Sequence, residues 1–286
     1  MNERATRAEY LPIDRLHAFE NHPFQVKDDE QMEQLVWSIL SQGVMTPIIV
    51  RPLENNEYEV ISGHRRVHAC RKAGIDTVPA LIYALDRDAA AIALVDSNLH
   101  REHILPSEKA FAYKMKLEAM NRRGQRSDLT SSQVATKLDT AAEIGKSQGE
   151  SRDKVYRYIR LTYLIPEILT KVDNGEIAMS PAVEISYLSE AEQYTLLDAM
   201  EHNDCTPSHA QTIRMKKLSQ QGQLRSNTIY SIMAEEKPNQ KEQIRLRRED
   251  FRKYFPPGYP EAKIKQDIEK ALELLMRQRQ RSRNAR

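Results

Sequence analysis

The chain has 286 residues, 40% of them hydrophobic and 29% charged, with a formal net charge of +2. That length exceeds what one core usually serves, so more than one domain is expected, and the near-neutral charge means that any nucleic-acid surface must come from local clustering. No run approaches the roughly 18 apolar residues of a membrane span, and the opening MNERATRAEY lacks the apolar stretch of a secretory signal, so a cytoplasmic protein with no membrane partner is expected.

Cys70 and Cys205 are the only cysteines, too few for a disulfide framework and not paired as C-x-x-C, and both are read as structural thiols. An aromatic content of 6% and nine glycines favour a helix-rich chain.

Residues 10 to about 100 mix helical and strand patterns. From Asp29 to Gln42, Met32, Leu35, Val36 and Ile39 recur at helical spacing, and Gly43 stands where a helix would stop. TPIIVRP, EYEVIS and VPALIYAL read as strands, and HRRVHACRKA reads as a helix closed by Gly74. After Arg87 the strand signals vanish: DAAAIALVDSNLHR and PSEKAFAYKMKLEAMNRR are helices, the second opened by Pro106, and shorter ones follow to about residue 202. RGQRSDLTSSQ reads as a surface loop or an insertion, and SQQGQLRSNT with EEKPNQKEQ as a linker zone. Near the end, Ile264, Ile268, Leu272 and Leu275 share one face of an amphipathic helix that packs on its own domain or on a second copy. Arg277, Arg279, Arg281, Arg283 and Arg286 make the tail either a solvated terminus or a phosphate-contacting arm.

Two stretches carry chemistry. VISGHRRVHACRKAG is a strand, a glycine and a helix that begins with arginines. A helix N-terminus presents unpaired N–H groups and the positive end of the helix dipole, Gly63 lets an anion approach them, and Arg65 and Arg66 add fork-shaped donors, so a phosphate group is the expected ligand. In TAAEIGKSQGESRDKVYRYIRL, Gly145, Gly149 and Val155 have the spacing of a helix-turn-helix: a small residue where helices cross, a turn glycine and a buried apolar lock. Ser151 suits the N-cap of the second helix, while Gln148 and Glu150 stand where apolar residues are usual. Val155, Tyr158 and Ile159 then face inward, and Arg152, Asp153, Lys154, Tyr156, Arg157 and Arg160 are left for DNA, the first positions nearest the base edges.

GHRRVHA resembles the G-E-R-R-x-R-A box of ParB-family partition proteins; HPFQVK upstream resembles their N-P-x-Q-P-R box, and SNLHRE downstream their E-N-L-Q-R-E box. The three stand in the family's order, and the resemblance covers roughly residues 10 to 200. It implies an α+β chain: a ParB/sulfiredoxin-like nucleotide-binding domain over 10–103, a helical helix-turn-helix domain over 104–205, and a linker with a helical, basic segment over 206–286. It implies CTP and Mg2+ as cofactors, with Gly63, His64, Arg65 and Arg66 at the triphosphate, Asn98 at the metal and Arg101 on a phosphate oxygen. It also implies a nucleoid-associated homodimer that closes as a clamp around DNA bearing a centromere-like site, with a ParA-type ATPase as partner. The altered boxes and extra length suggest a plasmid or integrative-element version.

Ser97 replaces the glutamate implicated in hydrolysis, with Asp96 aimed elsewhere on the helix, and His64 and His68 replace a glutamate and an arginine. Binding with slow or absent hydrolysis is therefore expected. The alternative is a helix-turn-helix regulator whose first domain no longer uses nucleotide. Sulfiredoxin chemistry needs a cysteine inside the loop, where this chain has GHRR, and the sequence shows no clustered carboxylates for a two-metal nuclease.

Overall fold

A computed structural model of the chain describes residues 7–101, 103–127, 133–235, 254–255 and 260–284. It divides into two units, Met1–Glu235 and Glu236–Arg286. Glu102, most of the linker zone and Arg286 lie outside the described residues.

The first unit opens with a five-stranded mixed sheet in the order β1-β5-β3-β4-β2, built from β1 (Arg7–Pro12), β2 (Leu16–Ala18), β3 (Ile48–Pro52), β4 (Tyr58–Ser62) and β5 (Thr77–Ile82). β3 runs antiparallel to β4 and parallel to β5. Helix α1 (Glu30–Gln42) is capped by the Asp29 carboxylate, which accepts from the Met32 N–H at 2.9 Å, and it ends at Gly43 with φ 74°. Helix α2 (His64–Lys72) follows β4 through Gly63 alone.

Alternation along the strands divides their side chains between two cores. Ile48, Val50 and Val60 pack with Met32 and Ile39 of α1 and with Val67, Ala69 and Cys70 of α2. Ile49 and Ile61 face the other way, onto α3 (Arg87–Asn98) and α4 (Pro106–Ser127). This second core does not stop at the sheet: it runs through Leu94 and Tyr113 to Ala141 and Ile144 of α5 (Gln133–Ser147) and to Val155 of α6 (Arg152–Arg160).

A third core joins α7 (Pro166–Asp173), α8 (Met179–Ile185), α9 (Glu190–His202), α10 (His209–Gln220) and α11 (Ser226–Met233), with Cys205 packed against it. Here the structure departs from the expected linker: SQQGQLRSNT spans the turn from α10 to α11, and Ile229, Ile232 and Met233 beyond it are buried. The sequence there is polar because that turn is exposed, not because the core has ended. In the second unit α12 (Glu261–Asn284) is the amphipathic helix, with Ile264 and Ile268 half-buried and Leu272 and Leu275 exposed. No helix among the described residues is long and apolar enough to cross a membrane.

Candidate nucleotide and DNA sites

The three motifs lie far apart in the chain and meet in space. The first occupies the loop between β2 and α1, the second is the β4–α2 junction, and the third ends α3. The His22 and His64 rings approach to 3.9 Å between centroids, and the Arg101 guanidinium lies 5.5 Å from the centre of the buried Phe24 ring.

Gly63 is the hinge of the site. Its φ of 105° is a left-handed conformation open to glycine, and a Cβ there would stand 2.7 Å from Ile48 Cγ2 and 3.3 Å from Arg66 Cζ. The glycine is thus required by the sheet behind it as much as by any anion in front.

The arginines divide their tasks. Arg65 donates to Asp29 Oδ1 at 3.2 Å, so it sits between the ends of α1 and α2. Arg66 departs from its expected role at a triphosphate: its guanidinium donates to the Thr46 and Pro47 carbonyls, the latter at 2.6 Å. Successive helical residues point about 100° apart, so a helix that aims Arg65 at the front of the junction turns Arg66 to the loop before β3. Burial lowers the pKa of Arg101; Glu108 opposes that shift and Arg65 reinforces it, so two cations stand close enough to repel.

The histidines are unusual. His22 Nδ1 lies 2.6 Å from the Phe24 carbonyl, and the Nε2 atoms of both His22 and His64 are buried without a hydrogen-bond partner. Burial, then His22, then Arg101 hold the His64 ring down to about 3, and burial likewise lowers His22. Such orphaned polar atoms are rare in folded proteins and mark a place where a polar ligand would be stabilised.

Asn98 is buried, and its Nδ2 donates to Leu94 O at 2.8 Å and to Ser97 Oγ at 3.2 Å, which fixes the amide to its own helix. Ser97 bonds back to Leu94 O at 2.9 Å, and Asp96 pairs with Lys116 of α4 at 2.5 Å. Among the described residues no three His, Cys, Asp or Glu side chains are grouped to hold a metal.

The second site is the α5–α6 pair. A Cβ on Gly145 would meet the Glu150 carbonyl oxygen at 2.5 Å, so the helices cross at contact distance, and Gly149 makes the turn with φ 65°. Ser151 caps α6 by accepting from the Lys154 N–H at 3.2 Å. Arg152, Asp153, Lys154 and Arg157 are exposed on α6, with Arg152 bonded to Asp153 and Arg157 reaching Ser180 Oγ of α8 at 2.8 Å.

Two residues depart from the expected DNA face. Arg160 is held by Ser186 through its hydroxyl at 3.1 Å and its carbonyl, and it lies over the Tyr163 and Tyr187 rings at 4.4 and 3.9 Å. Tyr156 is half-buried and packs on the second core. Both sit where the inner face of α6 turns onto its neighbours, so packing claims them before DNA could.

Glu150 was out of place in the sequence pattern, and the structure explains it. Its side chain is 7% exposed and accepts from Lys109 Nζ at 2.7 Å, Tyr113 OH at 2.7 Å and Lys154 Nζ at 3.0 Å. Burial pushes the carboxyl up, but the hydrogen bonds from Lys109, Tyr113 and Lys154 outweigh it and leave the group below the usual glutamate range. Two of these partners, Lys109 and Tyr113, lie some 40 residues upstream, beyond the reach of local pattern.

A family model described as the ParB N-terminal domain matches residues 1–99. Those residues are a ParB N-terminal domain. It is 35% identical over 186 residues to a probable chromosome-partitioning protein ParB of Pseudomonas putida, covering 65% of this chain and 58% of that protein. It is 32% identical over 205 residues to a nucleoid occlusion protein of Listeria innocua, covering 71% and 66%. The chain thus spans less than two thirds of the length of either relative. Among solved structures it is similar to the C-terminally truncated ParB of Caulobacter crescentus complexed to the centromeric parS site, at 24% identity and TM-score 0.41 over 74% of this chain and 99% of that one. The same protein complexed with CTP-gamma-S matches at 27% identity and TM-score 0.32, over 64% and 94%.

Within the ParB frame, the sequence reading missed β1 and β2, the pairing of His22 with His64, and the Glu150 cluster. An available signal for the histidine pair was that both boxes carry histidine where the family pattern does not.

Proposed function

We propose that this chain is a nucleotide-gated DNA-binding protein of the partition type: a dimer that takes CTP with Mg2+ at the junction of the three boxes and reads a centromere-like site through α6. The observation that carries the reading is the convergence of those boxes on the desolvated Arg101, with Arg65 acting on it, and on two unpartnered imidazole nitrogens, a place with excess positive potential and unmet hydrogen bonds.

The residues assigned to the nucleotide are Gly63 with the α2 N-terminus, His64, Arg65 and Arg101. Arg66 holds the junction's shape. Magnesium is expected to arrive with the phosphates, with Asn98 as the protein oxygen offered to it, since Mg2+ keeps waters and phosphate oxygens more readily than it fills an all-protein cage. The bound metal would neutralise phosphate charge. Ser97, bonded to its own helix, supplies no general base, so hydrolysis is slow or absent. The residues assigned to DNA are Ser151, Arg152, Asp153, Lys154 and Arg157, and a ParA-type ATPase is the proposed partner in moving the bound DNA.

A second reading, a regulator whose first domain has lost nucleotide, is favoured by the engagement of Arg66 with Thr46 and Pro47 and by the inward amide of Asn98. Calorimetric titration of the full chain with Mg2+ and CTP, ATP, GTP or UTP separates the two. Saturable heat with CTP in preference to the others supports gating; the absence of heat with all four leaves the regulator.

A further inference from the structure

One histidine of the junction is held in a fixed tautomer. A carbonyl oxygen only accepts, so the His22 nitrogen 2.6 Å from Phe24 O must carry the proton. In the neutral His22 ring the proton therefore sits on Nδ1. Its Nε2 is then a lone pair, and like the Nε2 of His64, whose ring lies 3.9 Å away between centroids, it is buried and unpartnered.

An acceptor that faces a phosphate repels it. The His22 Nε2 cannot bond a phosphate oxygen unless a proton is added. In the free protein that proton is excluded by burial and by neighbouring charge: Arg101 from the end of α3 acts on both rings, and Arg65 of α2 acts on Arg101 in turn. Among the described residues Glu108 of α4 is the carboxylate acting the other way on His22, and it is already bonded to the Gln25 and Leu105 N–H groups at 2.8 and 3.1 Å. A polyanion entering the junction reverses this balance, because it cancels the guanidinium charge and accepts from the new N–H.

We infer that the His22–His64 pair takes up a proton from solvent when a phosphate ligand binds, the protonated Nε2–H donating to a phosphate oxygen, so that capture of the anion and capture of the proton are one event. This rests on the nucleotide reading above and adds to it a pH dependence that follows from His64 standing where the ParB box has glutamate. The sign follows from linkage. The free pair holds no added proton at neutral pH and the bound pair does, so affinity rises as pH falls between the bound and free values, and levels off once the free pair is also protonated.

The test is calorimetric titration of the full chain with Mg2+ and CTP at pH 7 in two buffers of different ionisation enthalpy. The expected result is an uptake of about one proton per nucleotide, with affinity rising up to about tenfold for each pH unit lowered. His64→Gln, whose amide donates without protonation, is expected to bind with no buffer-dependent heat. CTP binding by the natural chain with the same heat in both buffers overturns the proton coupling and leaves the nucleotide site standing. Uptake that persists unchanged in both His22→Gln and His64→Gln assigns the proton elsewhere and also overturns it. No binding in any buffer sinks both the coupling and the site.

Discussion

Glu108 and Lys109, neighbours in the first turn of α4, reach to opposite sites. Glu108 accepts from the Gln25 N–H within the first ParB-like box, and Lys109 donates to Glu150 in the turn before α6. One helical turn thereby fixes the loop that carries His22 and the turn that leads into α6. The second core, continuous from Ile61 of the sheet to Val155 of α6, makes the same connection in apolar contacts. An anion that moves the first box by a fraction of an ångström has a short, packed route to α6.

The buried Glu150 cluster gives a pH-dependent stability. Its carboxyl is depressed in the folded chain, so its contribution is present above the ordinary glutamate value and is lost as pH falls through the depressed one. Urea unfolding followed from pH 7 down to about pH 3 should show this loss. Glu150→Gln should flatten that part of the profile and cost about 1–3 kcal/mol at pH 7, because Lys109 loses its charged acceptor.

The two arginines at the end of α6 should separate by assay. Arg157→Ala is expected to weaken binding to the specific DNA site by about 1–3 kcal/mol with little change in melting temperature, as its guanidinium is exposed. Arg160→Ala is expected to lower stability by about 1–2 kcal/mol through the lost bonds to Ser186 and the stack on Tyr163 and Tyr187. Anisotropy on cognate and scrambled duplexes, beside thermal melts, reads both; equal loss on every sequence for Arg157→Ala makes it a phosphate contact.

The glycines of the turn offer a sharper contrast. Gly149→Ala meets no atom within 4 Å and should cost about 1 kcal/mol from its left-handed backbone alone. Gly145→Ala drives a methyl against the Glu150 carbonyl and should cost about 1–3 kcal/mol or more, with loss of DNA binding as α5 and α6 separate. Denaturation midpoints of the two variants decide this, and equal costs would contradict the close crossing.

Much of the arrangement was legible in local pattern. The Gly43 stop of α1, the glycine before α2, the Ser151 cap and the buried Val155 are signals that act within a turn or two of chain. What was not legible depended on distant partners. β2 is three residues long and exists as a strand through its pairing with β4, some 40 residues on. The aim of Arg65 and Arg66 depends on Asp29 and on the Thr46 and Pro47 carbonyls, and the burial of Glu150 depends on α4. The polar turn after α10 resembled a linker because exposure, the property sequence reports best, does not distinguish a surface turn from the end of a core.

The coupling of the two sites is tested most directly by the dissociation constant for CTP measured with and without a duplex that the protein itself selects from a random pool. The duplex is expected to change it by about 5- to 150-fold, CTP to change the affinity for the duplex by the same factor, and Glu108→Ala to diminish both. An identical constant with and without DNA, in a protein that binds both ligands, would contradict the coupling.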